Sequence, residues 1–570
     1  MGHFEKKIKV ATGEIPADIV LKGGRIINVF TREIQNADIA LSGEYIAGLG
    51  SYEGKAILDV TNKYVLPGFI DGHIHLESTM LAPYELSKAL IKNGTTTVIA
   101  DPHEIANVLG EDGIRFYLEQ TEGLPVDFYF MLPSCVPATC METAGAKLTA
   151  ADLLKFKSHP RVLGLAEMMN SAGVLSADQD IISKILLFKD TVLDGHAPSL
   201  SGKDLNAYVS CGIRSDHECT QTSEALEKLR LGMHLMIREG TQAKNLKTLA
   251  PVGNSSTAMQ CSLVTDDLHP HDLLIKGHMN YLINRAVSEG IDSISAIVMA
   301  TLSTARYFGL RNVGAISPGY IGDIVVLSSL DPVCIETVIK KGVVVYSDGE
   351  LRDQRMSLPS PILFENTMHI KSYDTGSFRI QSQGDFIRTI RVVPDQLLTI
   401  QEHLRTPVHE GNVISDPDLD LLKLAVLERH RESGNIGIGM VQGFGMRKGA
   451  LATSVAHDSH NVICVGCTDD DMYTAVKCIE DMGGGLAVVA DGRVLAKLAL
   501  PLAGLLSDLP LAEVAEISES LRQAAHELGC QLKEPFMALS FLALPVIPEL
   551  KITDMGLFDV QSFHHVPLFI

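Results

Sequence analysis

The 570-residue chain is 46% apolar and 21% charged, with a formal net charge of −21. At ~150 residues per domain this length divides into three or four domains, and the composition suits large buried cores. The acidic balance argues against a nucleic-acid-binding surface and says little about a small-molecule substrate.

Ten cysteines are spread thinly, without the framework of a small disulfide-rich domain, and read as reduced thiols in a cytoplasmic protein. Cys464 and Cys467 sit in a β-like run with no second pair after it, so core packing is expected of them. Met1 to Val10 carries lysines but no apolar run of the kind a secretory signal needs. The longest apolar candidate, 536–547, falls short of the ~20 residues of a membrane helix and contains Pro545.

In chain order, residues 1–66 read as short strands and turns. Ile19 to Val29 is expected to form a strand, a turn at Gly23-Gly24 and a second strand, and Ala37 to Leu41 and Tyr45 to Leu49 repeat the pattern. This suggests the first half of a small β-sandwich. Residues 67–310 alternate short apolar runs with longer helical patterns, which predicts βα units around a parallel sheet. The runs fall near 67–75, 96–101, 126–132, 161–168, 191–195, 212–216, 233–238 and 261–265, over a span close to the ~250 residues of a (β/α)8 barrel. Residues 311–365 return to β texture and are expected to complete the sandwich, with the barrel inserted between its halves. Residues 366–570 read as a mixed α/β C-terminal domain, with helices expected over Asp418 to His430 and Asp470 to Asp481. The fold class expected is therefore α/β: a TIM-type barrel inserted in a β-sandwich, followed by an α/β domain.

In such barrels the chemistry lies at the C-terminal strand ends. The first run ends in His73 and His75, two residues apart and so on one strand face. The second ends in His103-Glu104, the fourth in Glu167, the fifth in His196, the sixth in His217-Glu218, the seventh in Arg238-Glu239 and the eighth in Asp266-Asp267. Each alone is an ordinary loop residue. A histidine or carboxylate at nearly every strand end of one rim reads as a metal site. With Glu167 as an anionic bridge, one ion is expected on His73, His75, Glu167 and Asp266, and a second on Glu167, His196 and His217. Mn²⁺, Fe²⁺ and Zn²⁺ all suit this donor set. Further along, Gly434 to Gly439 has the wrong spacing for a dinucleotide loop, so no nucleotide cofactor is expected. Ser454 to Asn461 clusters His457, Asp458 and His460. Metal binding, a cap on the barrel mouth and an inert polar loop all remain open for it.

The run Val65-Leu66-Pro67-Gly68-Phe69-Ile70-Asp71-Gly72-His73-Ile74-His75 resembles the amidohydrolase superfamily. Leu76-Glu77-Ser78-Thr79-Met80, Asp101-Pro102-His103-Glu104, Glu167 and the late Ala456-His457-Asp458-Ser459-His460-Asn461 narrow the resemblance to the adenine deaminases. It extends over essentially the whole chain. It implies hydrolysis of adenine to hypoxanthine and ammonia in purine salvage by a metal-bound hydroxide, two divalent ions (usually Mn²⁺ or Fe²⁺), and a homo-oligomer such as a dimer. In that chemistry Asp266 is the expected base at the nucleophilic water. His103 is expected to carry a proton to the leaving nitrogen, with Glu104 orienting it. Arg238 and Glu239 are the candidates for contact with the purine edge. The competing readings are dihydroorotase-like or hydantoinase-like enzymes, against which the absence of a lysine on the fourth strand speaks, and other nucleobase deaminases. Neither a nucleic-acid nor a membrane partner is expected.

Overall fold

The computed structural model describes residues 2–241, 243–352, 366–394 and 396–570. The expected domain boundary near residue 365 lies outside the described residues. Eight strands follow the eight apolar runs: β1 (Phe69–Ile74), β2 (Thr95–Ala100), β3 (Asp127–Leu132), β4 (Val162–Met168), β5 (Val192–Gly195), β6 (Ser215–Asp216), β7 (His234–Arg238) and β8 (Cys261–Val264). β1 to β5 form one parallel sheet in sequence order, and β6 to β8 form another. Between β5 and β6, Arg214 N donates to Leu193 O at 3.0 Å and Gly195 N to Ser215 Oγ at 3.1 Å. At the opposite edge a parallel bridge pairs Ile74 with Asp266. The parallel sheet therefore curls until its first and last strands meet.

Both faces of this sheet are covered, so its strands read as apolar runs without alternation. Ile70, Ile99, Met131, Ala166, Met236 and Val264, one from each of six strands, pack together in one core cluster. Ile74, beyond a register irregularity in β1, belongs instead to the cluster that includes the helix residues Leu86 and Leu90. Close approach of β4 and β5 requires Gly164, because an added Cβ there would lie 1.9 Å from Val192 O.

Strands on either side of this region share one nine-stranded sheet. Tyr64–Pro67 pairs in it with Ile324–Leu330, and Leu21, Val65, Val326 and Ile339 join in one apolar cluster. The turn expected at Gly23-Gly24 is not formed. Ala17–Asn28 runs on as a single strand with a register shift between Leu21 and Gly24, and Gly23 takes up the distortion at φ +77°.

The C-terminal region is built on an eight-stranded sheet, with the helix Asp469–Asp481 packed against it. The helix expected over Asp418 to His430 is a correction. Pro417 starts only a 3₁₀ turn (Pro417–Leu419), and Leu422–Leu427 is a fully buried strand between Ile436–Gln442 and Val462–Gly466. The apolar spacing there fits either period. Burial on both faces decides for strand, and Lys423 is accommodated through its ammonium on Asp469 Oδ1 at 2.6 Å. Gly437 and Gly439 belong to a strand, and Cys464 is buried in the core as a free thiol. The largest apolar cluster runs without a break from Leu76 and Leu90 to Ala456, Leu486 and Phe536 of the C-terminal region. No helix among the described residues is long and apolar enough to cross a membrane.

Candidate metal centre and active site

The site begins at the seam of β1 and β8. Asp71 Oδ2 accepts from Thr265 Oγ1 at 2.5 Å, Asp266 N donates to His73 O at 3.0 Å, and His75 N to Asp266 O at 3.1 Å. These bonds fix the backbone that carries His73, His75 and Asp266. Asp266 itself turns through φ +60° as it leaves the strand. Its Oδ1 lies 3.2 Å from His73 Nε2 and 3.0 Å from His75 Nε2. Its Oδ2 accepts from Arg238 Nη1 at 2.6 Å.

Glu167, at the end of β4, faces two sets of imidazoles. Its Oε1 lies 3.4 Å from His75 Nε2, 3.7 Å from His103 Nδ1 and 3.9 Å from His73 Nε2. Its Oε2 lies 2.7 Å from His196 Nδ1 and 3.2 Å from His217 Nε2. His73 and His217 stack at 4.2 Å between ring centroids, so the two sets adjoin. Burial pushes the Glu167 carboxyl up, but the His217 charge and hydrogen bonds from His196 and His217 outweigh it and hold the group well below the usual carboxylate range. Asp266 is likewise held well below its usual value, burial being outweighed by Arg238 first and then by His73 and His75.

The remaining expected residues divide. His103 opens the helix His103–Leu109, its Nδ1 3.1 Å from Asp101 Oδ2 and its Nε2 3.8 Å from Asp458 Oδ1. Glu104 does not face that ring. Its Oε1 lies 3.0 Å from His457 Nδ1 and its Oε2 3.9 Å from His460 Nε2. Arg238 is held in a fork by Glu218, with Nη2 3.0 Å from Oε2, in addition to Asp266. Glu239 points out of the cluster, 3.5 Å from Arg285 Nε. A cavity of about 900 Å³ reaches His196, Glu218 and Arg238 and is walled from the C-terminal region by Leu397, Val546 and Ile547.

Sequence reasoning named Asp101, Glu218 and Asp71 but gave them no role at the site. Asp101 is two residues before His103 and Glu218 directly follows His217, so the strand-end pattern contained both. Asp71, before the register irregularity of β1, serves the seam and not the cluster.

Divalent ions fit this centre. His73 Nε2, His103 Nδ1 and Asp101 Oδ2 are buried and none makes a well-aligned hydrogen bond within the protein, although His103 Nδ1 and Asp101 Oδ2 lie 3.1 Å apart and His73 Nε2 lies 3.2 Å from Asp266 Oδ1; buried polar groups left so are costly unless something else engages them. Within 4.8 Å of one another lie the donor atoms of His73, His75 and Asp266, of His73, Glu167 and His217, of His75, His103 and Glu167, and of His196, His217 and Glu218. Neutral imidazoles with carboxylates suit divalent transition metals, and overlapping triads, two of which share Glu167, are consistent with a binuclear site.

Residues 64–345 match the amidohydrolase family, and residues 396–564 match the adenine deaminase C-terminal domain. An adenine deaminase of Desulfatibacillum aliphaticivorans is 48% identical over 99% of each chain. Adenine deaminase 2 of Carboxydothermus hydrogenoformans is 47% identical over the full length of both. A solved D-hydantoinase from Thermus sp. superposes with a TM-score of 0.45 at 15% identity, covering 59% of this chain and 97% of that one. End-to-end identity of this order, on top of the buried donor cluster, establishes that the chain belongs to the adenine deaminase family of amidohydrolases.

Proposed function

We propose that the chain hydrolyses adenine to hypoxanthine and ammonia at a two-metal centre lying at the strand ends of a closed (β/α)8 barrel. That barrel is set within a β-sandwich and followed by a C-terminal α/β domain. The observation that carries the reading is Glu167, whose two oxygens face separate imidazole sets in a chain matched end to end by adenine deaminases. His73, His75 and Asp266 would hold one ion and His196 and His217 the other, with Glu167 offering an oxygen to each. When bound, such a pair lowers the pKa of a water from ~15.7 toward ~7 and supplies a nucleophile at neutral pH. Mn²⁺ is the proposed metal.

The protein's own residues do the rest. Asp266, fixed by Arg238 and by the β1–β8 seam, is placed to take the proton of the attacking water. Addition at C6 of adenine puts electrons onto N1, which must be protonated, and the exocyclic amine must gain a proton before it departs as ammonia. His103 is the proposed donor to that nitrogen, and positioned proton transfer of this kind is worth ~10²–10⁴-fold. Arg238 and Glu218 border the cavity that would admit the purine. The test is ammonia release from adenine by metal-replete protein, with hypoxanthine identified by its ultraviolet spectrum and dihydroorotate and cytosine run alongside. Ammonia from cytosine and none from adenine would sink the proposal.

A further inference from the structure

The loop that carries His457, Asp458 and His460 lies about 350 residues after His103 in the chain yet meets it inside the barrel mouth. Asp458, 3% exposed, directs Oδ1 at His103 Nε2 across 3.8 Å, and its Oδ2 has no hydrogen-bond partner. With Asp101 at Nδ1, the imidazole stands between a carboxylate of the barrel and a carboxylate of the C-terminal region. His457 and His460 converge on Glu104 from the other side.

Those two histidines and Glu104 also have the composition of a metal triad. The tautomer of His460 argues against an ion there. Its Nδ1 accepts from Ala456 N at 3.2 Å, which leaves the ring proton on Nε2, the nitrogen aimed at Glu104. A nitrogen that carries a proton has no lone pair for a metal. The cluster is therefore an ion pair of His457 with Glu104, with the His460 N–H beside it and beyond hydrogen-bond reach of the carboxylate.

The loop is anchored independently of the barrel. Arg429, fully buried, donates Nε to His460 O, Nη1 to Thr367 Oγ1 at 3.1 Å and Nη2 to Ala503 O at 3.1 Å. His430 Nε2 bonds Ser459 O at 2.7 Å, and Phe541 stacks on the His457 ring at 4.3 Å. Asn461 Nδ2 then crosses to Thr143 O of the barrel at 2.8 Å. A surface loop with no task at the site does not need a buried guanidinium to hold its carbonyls, whereas a constellation of catalytic use does need such a supporting layer.

We propose that residues 456–461 are part of the active centre, with Asp458 positioning the His103 imidazole and His457 fixing Glu104. The inference rests on the assignment of His103 as proton donor. The experiment is a double-mutant cycle on the metal-loaded full chain: Asp458→Asn, His103→Asn and both together, with kcat, KM, metal per chain and thermal midpoint read for each. Asp458→Asn is expected to lower kcat roughly 10–100-fold, with KM, metal content and midpoint near the wild-type values. The double variant is expected to be no slower than His103→Asn alone, and Asp458→Glu to regain part of the rate. A merely structural role would multiply the two losses and lower the midpoint, and that result overturns the proposal. So does wild-type kcat in Asp458→Asn beside an impaired His103→Asn. Full activity of His103→Asn instead removes the reading on which the inference stands. If Asp458→Asn does not fold, the same cycle on Glu104→Gln and His457→Gln decides, with multiplicative losses again overturning the proposal.

Discussion

Arg238 offers the sharpest test of how this site is held. Its guanidinium is 4% exposed and lies 2.6 Å from Asp266 Oδ2 and 3.0 Å from Glu218 Oε2. Unit charges at these distances attract by about 5–6 kcal/mol each at an effective dielectric of ~20. Desolvation offsets most of that gain. Removing the cation, however, leaves Glu218 and the outer oxygen of Asp266 buried without their guanidinium partner, and breaking such a pair costs ~3–5 kcal/mol. Arg238→Met is expected to lower the thermal midpoint by roughly 10 °C at ~2–4 °C per kcal/mol. Because Asp266 loses its anchor, kcat should fall on the order of 10²-fold and metal retention should weaken. Arg238→Lys keeps the charge but loses the planar fork, and should recover stability better than rate. Calorimetry on metal-loaded protein, elemental analysis and steady-state kinetics read these effects. A midpoint within about 2 °C of wild type with only KM raised would refute the clamp. Arg238 would then be a purine contact and nothing more.

Chelation should abolish deamination, and ~2 equivalents of divalent metal per chain should restore it; full recovery at one equivalent contradicts a pair bridged by Glu167. Gly164→Ala places a Cβ against a backbone carbonyl that cannot yield, so β4 and β5 must part, at a cost of ~1–3 kcal/mol or more. Glu167, three residues on, shifts with them, and an unchanged midpoint and metal content would count against that reasoning. Burial pushes the Lys551 ammonium down to about 7, while the unfolded chain holds that proton up to its ordinary value of 10.5. The folded state therefore binds fewer protons between those values, and stability rises with pH there by ~1.4 kcal/mol per unit. Lys551→Met should lose that rise, and a stability difference between the two proteins that stays flat from about pH 7 to about pH 9 would show that the group is not buried as a base.

The parallel strands were legible because burial on both faces leaves unbroken apolar runs, and a period of two places His73 and His75 on one face without any tertiary knowledge. The ligand candidates could be read because strand ends of a curled parallel sheet share one rim. Period alone did not separate strand from helix at Leu422–Leu427, where the neighbours on both sides decide. Nor did it show that Gly23-Gly24 would distort a strand instead of ending it. Partner choice lay further from reach. That Arg238 faces Asp266 while Glu239 faces Arg285 depends on which side of β7 meets the mouth. That Glu104 pairs with His457, not with the His103 ring, depends on a loop far along the chain.

The seam between β1 and β8 has a consequence for how the enzyme comes into being. Asp71 and Thr265 bond across 194 residues of chain, and the metal donors on either side of that seam converge only once it has closed. Joining ends so far apart costs chain entropy and makes the step slow. An ion that binds the joined ends and not the separated ones adds its binding free energy to the closed state. For a centre loaded as proposed, metal supply during growth would raise the fraction of chains whose ring stays shut, and so the yield of folded enzyme as well as its rate.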